Sequence, residues 1–250
     1  MLEAIATGKA DAGVGMALRW LKPLEQGFDV KITTAIHGGC MRLFAKPDSH
    51  IDGIAGLRGK TVGVGDLAGP DKNFFSIAAA KQGIDPTTEI EWRAYPADML
   101  GVALQKGEVQ VISLSDPLGW IVRERDGLLE IANNLSGEYA HRTCCVLGVR
   151  GSLLREDRAT AARLTAALTE AQEFVAENPD KAAAIFAPYS KVQAAQLAAM
   201  LKSHTHHHHP AGAELKDEIA AYADELKMVH VFKASTDTKR FAERVCADVA

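Results

Sequence analysis

The chain has 250 residues, 47% of them hydrophobic and 24% charged, with a formal net charge of −4. That length holds one large domain or two lobes with ample core, and the composition is ordinary for a globular protein. A mildly acidic chain lacks the basic surface that neutralises phosphates, which argues against a nucleic-acid partner. No apolar run reaches the roughly 18 residues of a membrane span, so no direct membrane insertion is expected.

In chain order, Leu2 to Val14 reads as a short amphipathic helix, a glycine stop at Gly8 and an apolar strand. Leu100 to Ile112 repeats that grammar, with Gly107 at the stop. Glycine just past a helix end takes the left-handed cap without a Cβ penalty, and two matched copies suggest two similar α/β lobes with a cleft. No secretory leader is expected in this chain. Leu2 and Ile5 already read as mid-helix, so the chain is expected to be cut off at its N-terminus, with apolar surface near residues 1–36 left uncovered. Val30, Ile32, Thr34 and Ile36 alternate with less apolar neighbours, the period-2 mark of a strand. Cys40 to Ala45 extends that reading until Pro47 and Asp48 break it. Gly56 to Val64 is a turn feeding a short buried strand, Asp71 to Gly83 a helix, and Ile90 to Tyr95 a strand. Asp116 to Arg125 reads as helix and Cys144 to Val149 as strand. Such alternation predicts an α/β fold with mostly parallel sheets and helices on both faces.

The last hundred residues read as nearly all helix. Leu164, Ala167, Leu168, Ala171, Phe174 and Val175 fall on one stripe at helical spacing. Asn178-Pro179 is an N-cap followed by proline at the first helical position, and Ser190 with Gln193 fits a capping box. Leu215, Ile219, Tyr222 and Leu226 mark a further helix, and Phe241 with Val245 the last.

Several residues stand out chemically. His37 and Cys40 fall at one strand junction, and His141, Cys144 and Cys145 at another. Imidazole and thiolate together suit copper(I) or zinc; the alternative is that strand cysteines are simply small buried residues. Adjacent Cys144 and Cys145 point to opposite strand faces, so at most one can meet a ligand with Cys40. His204, His206, His207, His208 and His209 form an internal tract between two predicted helices, read either as a transition-metal site or as a solvated polar loop. Asp66 and Asp71 bring negative charge to the start of a helix, where backbone N–H groups otherwise attract anions. They disfavour a bare oxyanion and favour an amine, a heterocycle or a cation, unless Asp71 merely caps its own helix. Trp120, four residues after Asp116, either walls a ligand site beside Ser115 or packs in the core. The glycines at 63, 65 and 69 are one residue too widely spaced for a dinucleotide fingerprint. No metalloprotease, serine-hydrolase or phosphate-loop motif appears, which favours binding over catalysis, with no catalytic residue assigned.

Residues 57–64, 104–109, Asp116-Pro117 and 176–182, taken in that order, resemble the solute-binding proteins of ABC importers, in the branch associated with nitrate, sulfonate, taurine and thiamine-precursor ligands. The resemblance implies two α/β lobes of the type II periplasmic kind joined by two crossing strands. Lobe one would be residues 1–38 with 147–250, and lobe two residues 39–146. It implies a small-molecule ligand captured by hinge closure, membrane subunits of an importer as partners, a periplasmic location and no enzymatic activity. His37, Cys40, His141, Cys144, Asp66, Asp71, Ser115, Asp116 and Trp120 would then line the cleft. Two alternatives accompany this reading: a transition-metal-binding protein using the histidine and cysteine groups, and an enzyme similar to the synthase of the thiamine pyrimidine precursor. No organic cofactor is expected, only a transition metal under the first alternative.

Overall fold

The computed structural model describes residues 1–190, 192–206 and 208–249. The chain divides into two compact units, one formed by residues 1–39 with 138–250 and the other by residues 40–137. The first begins with α1 (Leu2–Ala6), β1 (Ala12–Met16), α2 (Ala17–Glu25) and β2 (Val30–His37). The second contains β3 (Met41–Ala45), β4 (Lys60–Val64), α3 (Pro70–Lys81), β5 (Ile90–Ala94), α4 (Leu100–Gln105), β6 (Val111–Ser115), α5 (Leu118–Asp126) and β7 (Leu129–Asn133). The first unit resumes with β8 (Cys145–Arg150) and α6 (Gly151–Glu156), followed by α7 (Arg158–Glu177), α8 (Pro179–Ser190), α9 (Ala194–Ser203), α10 (Gly212–Met228) and α11 (Thr238–Val245).

The helix–glycine–strand repeat is present in both units. Gly8 and Gly107 sit at φ +76° and +75°. Each helix ends with the same pair of bonds: Gly8 N–H to Ile5 O and Lys9 N–H to Ala4 O, and likewise Gly107 to Leu104 and Glu108 to Ala103. This double bond across a left-handed glycine satisfies carbonyls the helix end leaves open. The likeness extends further. In the first unit the strand order is β1-β8-β2, and in the second β5-β4-β6-β3-β7. β1 and β2 each pair antiparallel with β8, just as β6 and β7 each pair antiparallel with β3. In both cases a helix links the outer strands, and the strand between them comes from elsewhere in the chain.

The α/β class holds, with helices flanking the sheets, but the strands are mixed rather than mostly parallel. Among the named strands of the described residues only β4 pairs parallel, with β5 and with β6. The reason is topological: β3 and β8, inserted between helix-linked strands, run against both neighbours.

In the first unit Trp20 of α2 is 2% exposed and fits a slot floored by two glycines. A Cβ at Gly15 would lie 2.5 Å from its ring, and one at Gly148 2.4 Å. In the second unit Phe44, Leu100, Leu104, Ile112, Leu114 and Val122 form the core. Two helical expectations are corrected. The buried face of α7 is Ala161, Thr165 and Gln172, while Phe174 is 40% exposed. The Thr165 hydroxyl meets the Thr33 hydroxyl of β2 at 3.0 Å, so small and polar groups face the sheet. Ser190 ends α8 rather than starting a helix, and its Oγ donates to Ala187 O.

Candidate functional site

In the second unit the candidate residues gather after the carboxyl ends of β4 and β6, where open α/β sheets present ligand-binding loops. Asp66 follows β4, and its Oδ1 accepts the Ala68 N–H at 2.9 Å, closing the loop on itself. Gly69 then begins α3 without a side-chain cap, and Asp71 lies in the first turn. Gly69 holds the cap position, and Asp71 is the second residue of the helix. Its Oδ1 accepts the Ser115 hydroxyl at 2.7 Å, tying the last residue of β6 to the start of α3. Burial holds the neighbouring Lys72 ammonium below its ordinary value.

Asp116 is fully engaged. Its N–H donates to Cys40 O, Oδ1 accepts the Trp120 N–H at 3.0 Å, and Oδ2 accepts Arg42 Nε–H at 2.8 Å. Arg42, the second residue of β3, also donates to Glu130 Oε2 at 2.8 Å. Burial works against the guanidinium charge, but Asp116 and Glu130 outweigh it and hold Arg42 above the ordinary arginine value. The Trp120 ring lies 4.3 Å from the Arg123 guanidinium and 5.5 Å from that of Arg42. Asp116 and Trp120 thus build the α5 end around a buried cation. Sequence reading missed Arg42 and Glu130, although an arginine inside a wholly buried strand signals a carboxylate partner.

In the first unit, Cys145 pairs opposite His37 in the β2–β8 register, and the Cys144 N–H donates to His37 O at 3.0 Å. His37, Cys144 and Cys145 therefore come together, while His141 stands exposed in the turn before β8. Cys40 opens the second unit, directly before β3. All four cysteines are buried, and none is in a disulfide. His37 Nδ1 donates to Gly38 O at 2.6 Å, a bond that fixes the proton on that nitrogen because a carbonyl can only accept.

The described histidines of the tract, His204, His206, His208 and His209, are half-buried. Ala35 N–H donates to Pro210 O and Gly38 N–H to Thr205 O, so the tract lies along the edge of β2 away from β8. His204 stacks on His37, centroids 5.9 Å apart. His206 Nε2 donates to Leu201 O at 2.8 Å and Nδ1 accepts from Gln172 at 3.2 Å, which occupies both ring nitrogens. His208 Nε2 bonds Glu218 Oε1 at 2.7 Å. His209 is half-buried, and His207 lies outside the described residues. Among the described residues no helix is long and apolar enough to cross a membrane.

Comparison with known proteins gives a family and a set of folds. The model of the NMT1-like family matches residues 26–188. No curated relative matches the sequence. The alkanesulfonate-binding protein SsuA from Xanthomonas axonopodis pv. citri, bound to MOPS, superposes with TM-score 0.82 at 16% identity, over 99% of this chain and 83% of that one. The periplasmic aliphatic sulphonate-binding protein SsuA from Escherichia coli gives 0.79 at 19% identity, over 96% and 77%. The periplasmic nitrate-binding protein NrtA from Synechocystis PCC 6803 gives 0.76 at 14% identity, over 98% and 74%. The fold of this chain is that of these binding proteins.

Proposed function

The chain belongs to the NMT1-like family, and from that membership we propose that it is the solute-binding protein of an ABC-type importer. It captures a small molecule and presents it to the importer's membrane subunits on the outer side of the cytoplasmic membrane. The observation that carries this reading is the fold shared with the sulfonate- and nitrate-binding proteins along nearly the whole chain. The protein supplies affinity and a closed shape, with no bond made or broken. In proteins of two lobes such capture works by hinge closure.

The rim of the second unit favours a particular solute. Asp66 and Asp71 stand at the loop before α3 and in its first turn, where an anion would otherwise find free N–H groups. Two carboxylates there repel nitrate and attract a solute with a cationic or N–H-donating group, such as an amine-bearing heterocycle.

A thermal-shift panel tests the proposal: nitrate, alkanesulfonates, taurine, and aminopyrimidines. A solute present at a hundred times its Kd stabilises by about 2.7 kcal/mol, or roughly 5–11 °C in Tm for a chain this size. The expected result is a shift of that order from an aminopyrimidine and none from nitrate. A larger shift from nitrate or an alkanesulfonate overturns the solute class. Failure of a stabilising solute to promote ATP hydrolysis by the cognate membrane subunits overturns the importer role.

A further inference from the structure

The geometry points to a divalent transition-metal site of the zinc class on the first unit, built from His208, Glu214 and Glu218 and separate from the solute reading above. Each residue offers one donor atom, and the three atoms lie within 4.8 Å of one another. Glu214 and Glu218 are one turn apart on α10, so their side chains share a face. Two carboxylates at that spacing repel one another without a cation between them. His208 arrives from the tract on the other side, its Nε2 already 2.7 Å from Glu218 Oε1.

The surroundings hold these donors in place. Glu218 Oε2 accepts the Thr143 N–H at 2.9 Å, which orients the carboxylate from behind. Outer contacts of this kind set the aim of metal-binding carboxylates. On either side of His208, Thr205 O and Pro210 O accept hydrogen bonds from β2 and the residue after it. The His208 Nε2 is hydrogen-bonded to Glu218 Oε1, and a metal ion would sit where that hydrogen bond now lies. Zinc bonds nitrogen at about 2.0–2.1 Å and carboxylate oxygen at about 2.0–2.2 Å, so a tetrahedral ion needs the pair to open by about 0.7 Å. Glu214, exposed to solvent, can swing in as the third donor, with water in the fourth position. One imidazole and two carboxylates form a nitrogen–oxygen donor set that suits zinc or manganese.

This assignment differs from affinity of the histidine run as such. His206 spends both ring nitrogens on Leu201 and Gln172, so it is excluded, whereas two glutamates outside the run are required. The test is isothermal titration of the full chain, carrying no affinity tag, with zinc chloride, and cobalt(II) absorption as a spectroscopic check. One equivalent should bind, and Glu214→Gln and His208→Ala should each weaken it at least tenfold, while His206→Ala leaves it within twofold. Glu218→Gln should also weaken binding, but it removes the acceptor of the Thr143 N–H, so Glu214→Gln carries the decision if that variant fails to fold. Binding unchanged in Glu214→Gln, or abolished in His206→Ala, overturns the site.

Discussion

The slot that receives Trp20 makes a sharp prediction about Gly148. Its ideal Cβ would fall 2.4 Å from Trp20 Cζ3, 2.9 Å from Val30 Cγ1 and 3.2 Å from Trp20 Cη2. The indole is rigid and 2% exposed, so it cannot turn aside as a flexible side chain would. Gly15, whose own Cβ would meet the opposite edge of the ring at 2.5 Å, closes the other way out. Inserting a methyl into such packing costs about 1–3 kcal/mol. In an open position the same Gly→Ala change would stabilise by about 0.4–1 kcal/mol, by restricting the unfolded chain. The sign alone therefore separates the two cases. Gly148→Ala should lower the urea midpoint without changing the slope and reduce Tm by about 2–12 °C. In a Trp20→Phe background, where the ring is smaller, the same change should cost at least 1 kcal/mol less. A Gly148→Ala variant as stable as the parent, or an equal cost in both backgrounds, refutes the slot.

Three further expectations follow from buried polar groups. Arg42→Ala takes the guanidinium from the fully buried Asp116 carboxylate, which keeps the Trp120 N–H, and from Glu130, which keeps Arg123 at 3.6 Å, and should cost about 3–5 kcal/mol by chemical denaturation; an unaltered midpoint would refute the network. Tyr222→Phe removes the hydroxyl donating to Thr143 O at 2.8 Å and should cost about 1–3 kcal/mol, since the carbonyl stays buried; near-neutrality would show that water reaches it. Burial pushes the Cys246 thiol from an ordinary 9.0 up to about 12. Between those values the unfolded chain sheds a proton that the folded one keeps, so this group's stabilisation is full below pH 9 and falls by up to about 1.4 kcal/mol per unit above it. Comparing denaturation at pH 8 and 10 with a Cys246→Ala variant checks this: the parent should lose about 1.4 kcal/mol more, and identical losses would refute it.

What the sequence made legible follows from the range of each signal. Gly8 and Gly107 announced their helix ends because a left-handed cap is a local matter of sterics. Leu215, Ile219, Tyr222 and Leu226 were readable because α10 buries them as one apolar stripe. The stripe on α7 misled for a related reason. Periodicity finds apolar faces, and α7 instead packs Thr165 and Gln172 inward, meeting Thr33 and His206. Strand direction was invisible because β3 and β8 take their places between strands far away in sequence. At the candidate site, Asp66, Asp71, Ser115 and Asp116 were nameable from their loops. The cation that holds Asp116 was not, because Arg42 lies 74 residues away in sequence.

The sheet order of the first unit also dictates when it can form. Its central strand, β8, is the only strand bonded to both β1 and β2 among the described residues, yet it is made after the whole second unit. All strands of the second sheet come from residues 41–133, so that unit can close as soon as it has emerged from the ribosome. β2 ends at His37 and β8 is complete at Arg150, a delay of roughly 6–23 s at ordinary rates of synthesis. Through that interval β1 and β2 wait without the strand that joins them, each with open backbone edges. The second sheet thus has every strand it needs while the first still lacks its centre, and β1 and β2 are where a holding chaperone would be needed.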